Sequence, residues 1–309
     1  MATTQTYGGL TAEQKTFYDR TLLSRLVPEL VYAKFGQKKP MPKREGDTVN
    51  FRRFNSLAAA TTPLTEGVTP TGKALNITAI TGTVAQYGDF IEISDKLDMV
   101  GIDPVLTEAG QLLGEQAGIT LDTIVRDVVT AGTNVQYANG KTSRSTVAAT
   151  DVLTSTEIRK AVRTLRKANV KPVDGKYFVG FVGADAEYDL MNDPLWQDVS
   201  KYSASSQIFD GEIGKLGGVR FIREGNNKVF AAGGASSADV HATMIIGKDA
   251  YGVIDVEGSS KPEMIVKPHG SSGTADPLNQ RATSGWKALY TAMRLNELAM
   301  VRIEHGVSK

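Results

Sequence analysis

Histidine is the residue type in this chain that could best support metal binding or acid-base catalysis, because cysteine is absent. The three histidines are His241, His269 and His305, and none has a second ligand at metal spacing nearby. We therefore interpret them as isolated surface or strand-end residues, and we predict no catalytic residue, no metal and no cofactor. The absence of cysteine also excludes disulfides and thiolate nucleophiles.

A second candidate for acid-base chemistry is the acidic series Asp185, Glu187 and Asp189. These residues alternate on a segment that the sequence predicts to be a short helix, so they do not share one face. We interpret the segment as a solvated helix. A hydrolase that uses Asp185 or His241 remains as an alternative class of function.

Two glycine-rich segments could suggest phosphate binding or a nucleophile elbow. Residues 211–218 read Gly-Glu-Ile-Gly-Lys-Leu-Gly-Gly, but they lack the Walker spacing and the Ser or Thr after Lys215. Residues 270–273 read Gly-Ser-Ser-Gly without the strand-to-helix setting of a nucleophile elbow. We predict a turn before a strand at Val219 and a flexible loop at 270–273.

The net charge of the chain further limits the classes of function that the sequence allows. The formal net charge is +1, from 35 basic and 34 acidic residues, so no long-range field draws the molecule to nucleic acid or to a membrane. Residues 34–53 and 155–176 each carry seven basic and two acidic residues but not the regularly interleaved aromatics of a base-stacking platform, and we interpret both as solvated faces or subunit contacts. The sequence shows no signal peptide and no membrane-spanning run, so we expect a soluble protein made in the cytoplasm.

The first half of the chain predicts an arm, a long loop and one very long helix. Helical spacing of apolar residues covers 11–35, a non-helical solvated segment follows at 38–44, and strand alternation covers 47–54. Residues 55–86 turn to Ala, Thr, Gly and Pro and suggest a two-stranded excursion with little core of its own. Residues 103–131 predict a helix of about 28 residues, whose apolar stripe ends at Ile124 and Val128.

The second half predicts alternating helices and strands. A capping box at 154–157 begins a second helix, and a third covers 184–191. Strands are predicted at 177–182, from Val219, at 242–247 and at 264–267. The last two strands, near Trp286 and Val301, are expected to form a C-terminal hairpin. The fold class is therefore α+β.

The order of these elements resembles that of the major capsid proteins of tailed bacteriophages, whose fold is named after phage Hong Kong 97. The residues that carry the resemblance are Thr65-Glu66-Gly67 in the loop, Ile91-Glu92-Ile93-Ser94-Asp95-Lys96-Leu97 before the long helix, Leu121-Asp122-Thr123-Ile124-Val125 with Ala131-Gly132-Thr133 at its end, and residues 184–195 before Ile213-Gly214 and Gly217-Gly218-Val219.

The resemblance implies a division of the chain. It gives an N-terminal arm (1–46), a peripheral domain (47–145) with an extended loop (55–86) and a spine helix (103–131), an axial domain (146–256), and a return to the peripheral domain (257–309).

The resemblance also implies a function and partners. The function would be self-assembly, through hexamers and pentamers, into an icosahedral shell around double-stranded DNA. The shell would be built in the host cytoplasm with a separate scaffolding protein and a portal protein, and would hold the DNA without sequence-specific binding. Decoration proteins and a nanocompartment shell of the same fold stay open. The contact candidates between subunits are Arg52, Arg53, Leu64, Glu66, Lys73, Lys160, Arg163 and Lys167.

Overall fold

A computed structural model describes residues 30–40, 46–55, 57–100, 105–197, 212–255, 262–271 and 276–308. Its α-helices are α1 (Asp95–Val100), α2 (Val105–Thr130), α3 (Ser155–Lys167) and α4 (Ala184–Met191). Its strands are β1 (Gln37–Lys39), β2 (Thr48–Phe54), β3 (Ile77–Thr83), β4 (Ala85–Ser94), β5 (Val135–Tyr137), β6 (Phe178–Gly183), β7 (Glu212–Leu216), β8 (Val219–Glu224), β9 (Val229–Phe230), β10 (Val240–Ile246), β11 (Tyr251–Ile254), β12 (Glu263–Lys267), β13 (Arg281–Tyr290), β14 (Ala292–Arg294) and β15 (Met300–His305).

A seven-stranded sheet organises the second half of the chain. Its order is β5, β15, β10, β6, β8 and β7, with β9 beside β10. Alternate side chains of each strand face opposite sides, so the sheet contributes to two separate cores. Phe181 and Met244 face the core that contains α2, whereas Phe221 and Ile245 face the core that contains α3 and α4.

The long helix α2 has 26 residues and a length of about 39 Å at 1.5 Å per residue. Its buried apolar residues recur every fourth position: Ala109, Leu113, Ala117, Leu121, Val125 and Val129. Four residues exceed one full turn of the helix, so this stripe winds around the axis. The stripe therefore ends at Val125 and Val129, one position after the predicted Ile124 and Val128, which are only half-buried.

Three smaller sheets lie outside the seven-stranded sheet. They pair β12–β13–β4, β1–β11–β14 and β2–β3. The strand predicted at 47–54 is confirmed as β2, and its Val49 and Phe51 are buried. The segment 38–44, predicted to be non-helical and solvated, begins with β1, whose backbone pairs in parallel with β11.

The predicted arm helix (11–35) falls mostly outside the described residues. Its described end, from Leu30, contains a single 3₁₀ turn at Tyr32–Lys34 rather than an α-helix. Leu30, Tyr32 and Ala33 are buried in the core beside α2. This part of the arm is therefore integral to the folded domain.

The predicted C-terminal hairpin is wrong. β13 pairs with β12 and β4, whereas β15 pairs with β10 and β5, so the last two long strands lie in different sheets. The chain leaves β14 at Arg294, and the backbone N–H groups of Leu295 and Asn296 donate to the Ala250 carbonyl before a 3₁₀ turn redirects it. As a result, β5 and β15 lie in the same sheet as β6 and β10, although both are outside residues 146–256, the range that the resemblance assigns to the axial domain.

Candidate assembly surfaces

The extended loop is a long excursion closed at its base by two paired strands. β2 and β3 pair from Thr48–Thr83 to Phe54–Ile77, and the Asn55 N–H donates to the Asn76 carbonyl over 3.0 Å. Residues 57–76 contain a turn at Glu66 and Gly67 but no helix or strand. Strand within 55–86 is thus confined to the C-terminal end of the range, where β3 lies, and the partner of β3 is β2, which ends before residue 55.

Every side chain in residues 57–76 is exposed. The apolar side chains are among them, with Leu64 77% and Val68 64% exposed. Glu66 projects from the turn, where Gly67 has φ +76° and the Val68 N–H donates to the Thr65 carbonyl. The described part of the subunit does not cover this apolar surface, as expected of a surface that a partner buries.

Further exposed apolar side chains lie on the β12–β13–β4 sheet and on the helices α1 and α2 beside β4. β4 is an edge strand of its sheet, and its Phe90 is 64% exposed. Met99 on α1 is 86% exposed and Leu112 on α2 is 59% exposed. An open edge and exposed apolar side chains are features that pairing or packing with another chain would satisfy.

The predicted contact residues on β2 and in the loop differ in availability. The Arg53 guanidinium donates to the Leu295 carbonyl over 3.0 Å and to Asn296 Oδ1 over 3.1 Å, so it fastens β2 to its own subunit. Arg52 is exposed and has no ion pair among the described residues. Lys73 Nζ donates to the Ala58 carbonyl over 3.4 Å across the loop.

The predicted contact residues on α3 also differ. Lys160 Nζ lies 2.8 Å from Glu157 Oε1, so it is paired within the helix. Arg163 and Lys167 line a groove of about 460 Å³ beside Gly217. The turn predicted before Val219 is confirmed and forms one wall of this groove, with Gly217 and Gly218 at φ +61° and +91°.

The N-terminal cap of α3 lies at the predicted position but uses a different acceptor. Thr154 is the N-cap residue, yet its side chain makes no capping hydrogen bond. The Asp193 carboxylate instead accepts from the Ser155 N–H over 2.9 Å. Glu157 accepts from Gln136 Nε2 over 2.7 Å, so the capping-box residues serve tertiary contacts.

A buried acidic cluster, formed by Asp122 and Glu224, joins the arm to α2 and β8. Asp122 Oδ1 accepts from the Tyr32 N–H over 2.9 Å, and the Tyr251 hydroxyl donates to the Tyr32 carbonyl over 2.5 Å. Burial raises the pKa of Asp122 to about 6, although the N–H groups of the arm favour its charged form. Burial raises the pKa of Glu224 to about 9, so Glu224 is neutral at pH 7.

A buried ion cluster ties the end of α2 to the seven-stranded sheet. Arg144 makes two bonds of 2.8 and 2.7 Å to the Glu304 carboxylate, and Arg302 Nε donates to the same group over 2.8 Å. Arg302 also donates to the Thr130 carbonyl, and the Arg144 guanidinium lies 3.4 Å from the Phe230 ring centroid. The sequence does not reveal this cluster, because Arg144 and Glu304 are far apart in the chain.

Two histidines that the sequence separates are neighbours in the structure. His241 and His305 are register partners on β10 and β15, with ring centroids 6.3 Å apart. His305 Nδ1 donates to the Gly306 carbonyl over 2.7 Å, and its Nε2 accepts from the Thr243 hydroxyl over 2.9 Å. Burial lowers the pKa of His305 to about 4. The interpretation of these two as isolated residues is therefore wrong.

The acidic helix α4 is also less solvated than predicted. Glu187 is buried and accepts two bonds from Arg223, of 2.7 and 2.6 Å. Asp189 is buried and accepts from the N–H and hydroxyl groups of Ser308. Asp185 is exposed, as predicted for all three. The partners of the two buried carboxylates come from distant segments that helical periodicity does not reveal.

The two residues named for the hydrolase alternative line one cleft. Asp185 and His241 both line a cleft of about 530 Å³, together with Ser236 and Ser237. Within the described ranges, no hydrogen bond joins His241 to Asp185 or to either serine. A nucleophile and its base normally lie within hydrogen-bond reach, so the geometry does not favour catalysis here.

The described residues contain no group of three His, Cys, Asp or Glu side chains placed to hold a metal ion. None of the described helices is long and apolar enough to cross a membrane.

Comparison with known proteins shows the family of this chain. The family model for phage capsid protein matches residues 77–303, which is most of the chain. The chain belongs to the phage capsid protein family. The comparison with curated proteins gives no match for this capsid protein.

Solved structures share the fold of this capsid protein. The capsid of Ralstonia phage GP4 has a TM-score of 0.71 at 15% identity, covering 89% of this chain and 88% of that one. The capsid asymmetric unit of cyanophage Pam1 has a TM-score of 0.68 at 20% identity, covering 92% of each chain. The head structure of Helicobacter pylori bacteriophage KHP40 has a TM-score of 0.65 at 10% identity, covering 93% and 91%. The α+β capsid fold that the resemblance implied is thus confirmed.

Proposed function

We propose that this chain is the major capsid protein of a tailed bacteriophage and self-assembles, through hexamers and pentamers, into the icosahedral shell around the double-stranded DNA genome. The observation that carries the proposal is the extended loop, whose residues 57–76 are all exposed, including Leu64 and Val68. A projecting segment without a core of its own gains stability by packing on a neighbouring copy.

The exposed side chains on and beside β4 support the same proposal. The exposed edge of β4, with Phe90 and the nearby Met99, offers apolar area that a neighbouring subunit can bury. Assembly through these areas needs no cofactor, and we propose no catalytic role. The loop would then extend between subunits, while Leu30 and Tyr32 are buried within their own subunit.

The ion pairs and hydrogen bonds within the subunit limit which basic residue is available to Glu66. Arg53 and Lys160 are occupied within the subunit, whereas Arg52 is exposed and has no ion pair among the described residues. Arg163 and Lys167 also have no ion pair among the described residues, but both line the groove beside α3. We therefore propose that Glu66 of one subunit meets Arg52 of a neighbour. The remaining partners of the proposal are a scaffolding protein, a portal protein, decoration proteins and the enclosed DNA, with assembly in the host cytoplasm.

Removal of the loop tests the proposal directly. Phe54 and Ile77 are register partners, so an Asn-Gly turn can replace residues 55–76 and close the β2–β3 hairpin. We expect a folded, soluble subunit that forms no closed shells in electron micrographs. Normal shells from this variant would contradict the proposed role of the loop.

Single substitutions provide a matched control. Leu64 is 77% exposed in the loop, and Leu278 is 75% exposed outside it. Leu64→Ser should raise the protein concentration at which shells appear in light scattering, whereas Leu278→Ser should raise it less. Equal effects of the two changes would show that general surface polarity, rather than the loop contact, controls assembly.

A further inference from the structure

The solvent face of α3 carries a row of positively charged side chains. Arg159, Arg163, Arg166 and Lys167 are exposed, and their spacing of four, three and one residues places them on one side of the helix. The opposite side is buried in the core beside the seven-stranded sheet. The row spans about 12 Å along the helix axis at 1.5 Å per residue.

The row forms one wall of the groove beside the β7–β8 turn. Gly217 and Gly218 make this turn, and both have positive φ. A Cβ atom on Gly218 would lie 3.2 Å from Arg166 Nη2, and one on Gly217 would lie 3.6 Å from Arg159 Cγ. Glycine at these positions therefore keeps the groove, of about 460 Å³, open beside the guanidinium groups.

These charges are not neutralised within the described part of the chain. Arg163, Arg166 and Lys167 have no hydrogen bond or ion pair from their side chains there. Other cations of the same domain do have partners, such as Arg223 with Glu187 at 2.6 Å. Helix α3 carries five basic residues and one acidic residue, in a chain whose net charge is only +1. The groove is therefore a local concentration of positive charge.

We propose that this groove binds the phosphate groups of double-stranded nucleic acid. Guanidinium groups match phosphate oxygens in geometry as well as in charge. Each strand of a duplex carries one phosphate per 3.4 Å of the helix axis, so about four phosphates of one strand lie along the row of about 12 Å. No aromatic side chain lines the groove, so the contact is to the backbone and is independent of base sequence.

The lining of the groove favours nucleic acid over an acidic protein segment. A protein partner usually inserts apolar or aromatic anchors into a pocket at the centre of the interface. Here the apolar lining residue is Val162, which is 4% exposed, and the remaining side chains are charged. The identification of the nucleic acid with packaged DNA rests on the proposed function, whereas the phosphate contact itself does not.

The test measures binding of a fluorescent 20-base-pair duplex to the unassembled full chain by anisotropy at several salt concentrations. Four phosphate contacts give a slope of log affinity against log salt of about −3.6, so the affinity falls on the order of 100-fold between 50 and 200 mM salt. Arg163→Gln with Arg166→Gln should lower the affinity at least tenfold and reduce the slope to about −1.8.

A charge-matched control separates the groove from general electrostatics. Arg281→Gln with Lys287→Gln also removes two positive charges, but each of these residues has a carboxylate partner, Glu92 and Glu263 respectively. The control should bind with the wild-type slope. Equal losses in the two double variants would overturn the proposal. The proposal would also be overturned if polyglutamate displaced the labelled duplex as effectively as unlabelled duplex does. That result would favour an acidic protein partner.

Assembly is scored separately on the same proteins by electron microscopy. Absence of groove-dependent binding in a protein that forms shells would reject the phosphate contact and leave the proposed function standing. A wild-type protein that binds through the groove but forms no shells would reject the proposed function and leave the phosphate contact standing.

Discussion

Replacement of Glu224 by Gln should remove a large part of the pH dependence of stability. Glu224 is 2% exposed at the end of β8, and it faces the Tyr32 hydroxyl of the arm together with Asp122 and Arg126 of α2. Burial raises the pKa of this carboxyl from 4.5 to about 9. Glutamine keeps the shape and polarity of the neutral carboxyl but does not titrate.

The sign follows from proton binding. Between pH 4.5 and about 9, folded Glu224 holds a proton that the unfolded chain has released. The free energy of unfolding therefore falls as pH rises, by about 1.4 kcal/mol per pH unit. Between pH 6 and pH 8 the loss is about 2.7 kcal/mol. For a chain of 309 residues, an unfolding entropy of about 2.1 cal/mol/K per residue converts this into about 4 °C in Tm.

The assay is calorimetric melting of the unassembled protein at pH 6, 7, 8 and 9 and constant ionic strength. The wild type should lose about 4 °C more than Glu224→Gln between pH 6 and pH 8. The matched control is Glu263→Gln, because Glu263 is exposed on β12 and should behave like the wild type. Titrating groups away from Glu224 are shared and cancel in the comparison, and Asp122 has an uncharged neighbour at position 224 in both proteins at pH values below the pKa of Glu224. Parallel melting curves for the wild type and Glu224→Gln would refute the claim that this carboxyl is buried and protonated.

Three further predictions concern other charged groups. Glu66→Lys should hinder assembly at low salt and recover it near 1 M, where the Debye length is about 3 Å, while Tm stays unchanged; normal assembly at low salt would exclude the Arg52 contact. Arg144→Ala should lower the free energy of unfolding by about 2 kcal/mol, because the fully buried Glu304 loses two charge-assisted hydrogen bonds but keeps Arg302 as a partner; a loss under about 1 kcal/mol in urea unfolding would show that the ion cluster is not structural. Burial lowers the pKa of His305 to about 4, so stability should fall as pH drops from 6.5 to 4, and His305→Gln should flatten that part of the melting profile.

Local patterns in the sequence predicted the elements well. Helix α4 has the predicted bounds, 184–191, and the capping position of α3 is the predicted Thr154. Period-two alternation located β2, and the apolar stripe located the long helix. Each of these signals arises within a few residues of backbone, where hydrogen bonding and side-chain direction follow directly from sequence spacing.

Local patterns did not predict which distant strands pair with one another. The C-terminal hairpin was wrong because alternation identifies a strand but not its partner, and β15 pairs with β10 across the domain. The sequence patterns did not identify the buried charges for the same reason. Glu187 on α4, for example, is buried, and its ion-pair partner Arg223 lies on β8. The eight contact candidates depended on the resemblance to capsid proteins, and the structure separates them by showing that Arg53 and Lys160 already have partners.

The central claim is that this chain builds a shell through its extended loop, and a cryo-electron microscopy map of the purified full-length protein tests it most directly. We predict closed icosahedral particles in which residues 57–76 lie on a neighbouring subunit and Leu64 is buried there. Small discrete particles, or shells in which the loop extends into solvent with Leu64 uncovered, would contradict the account.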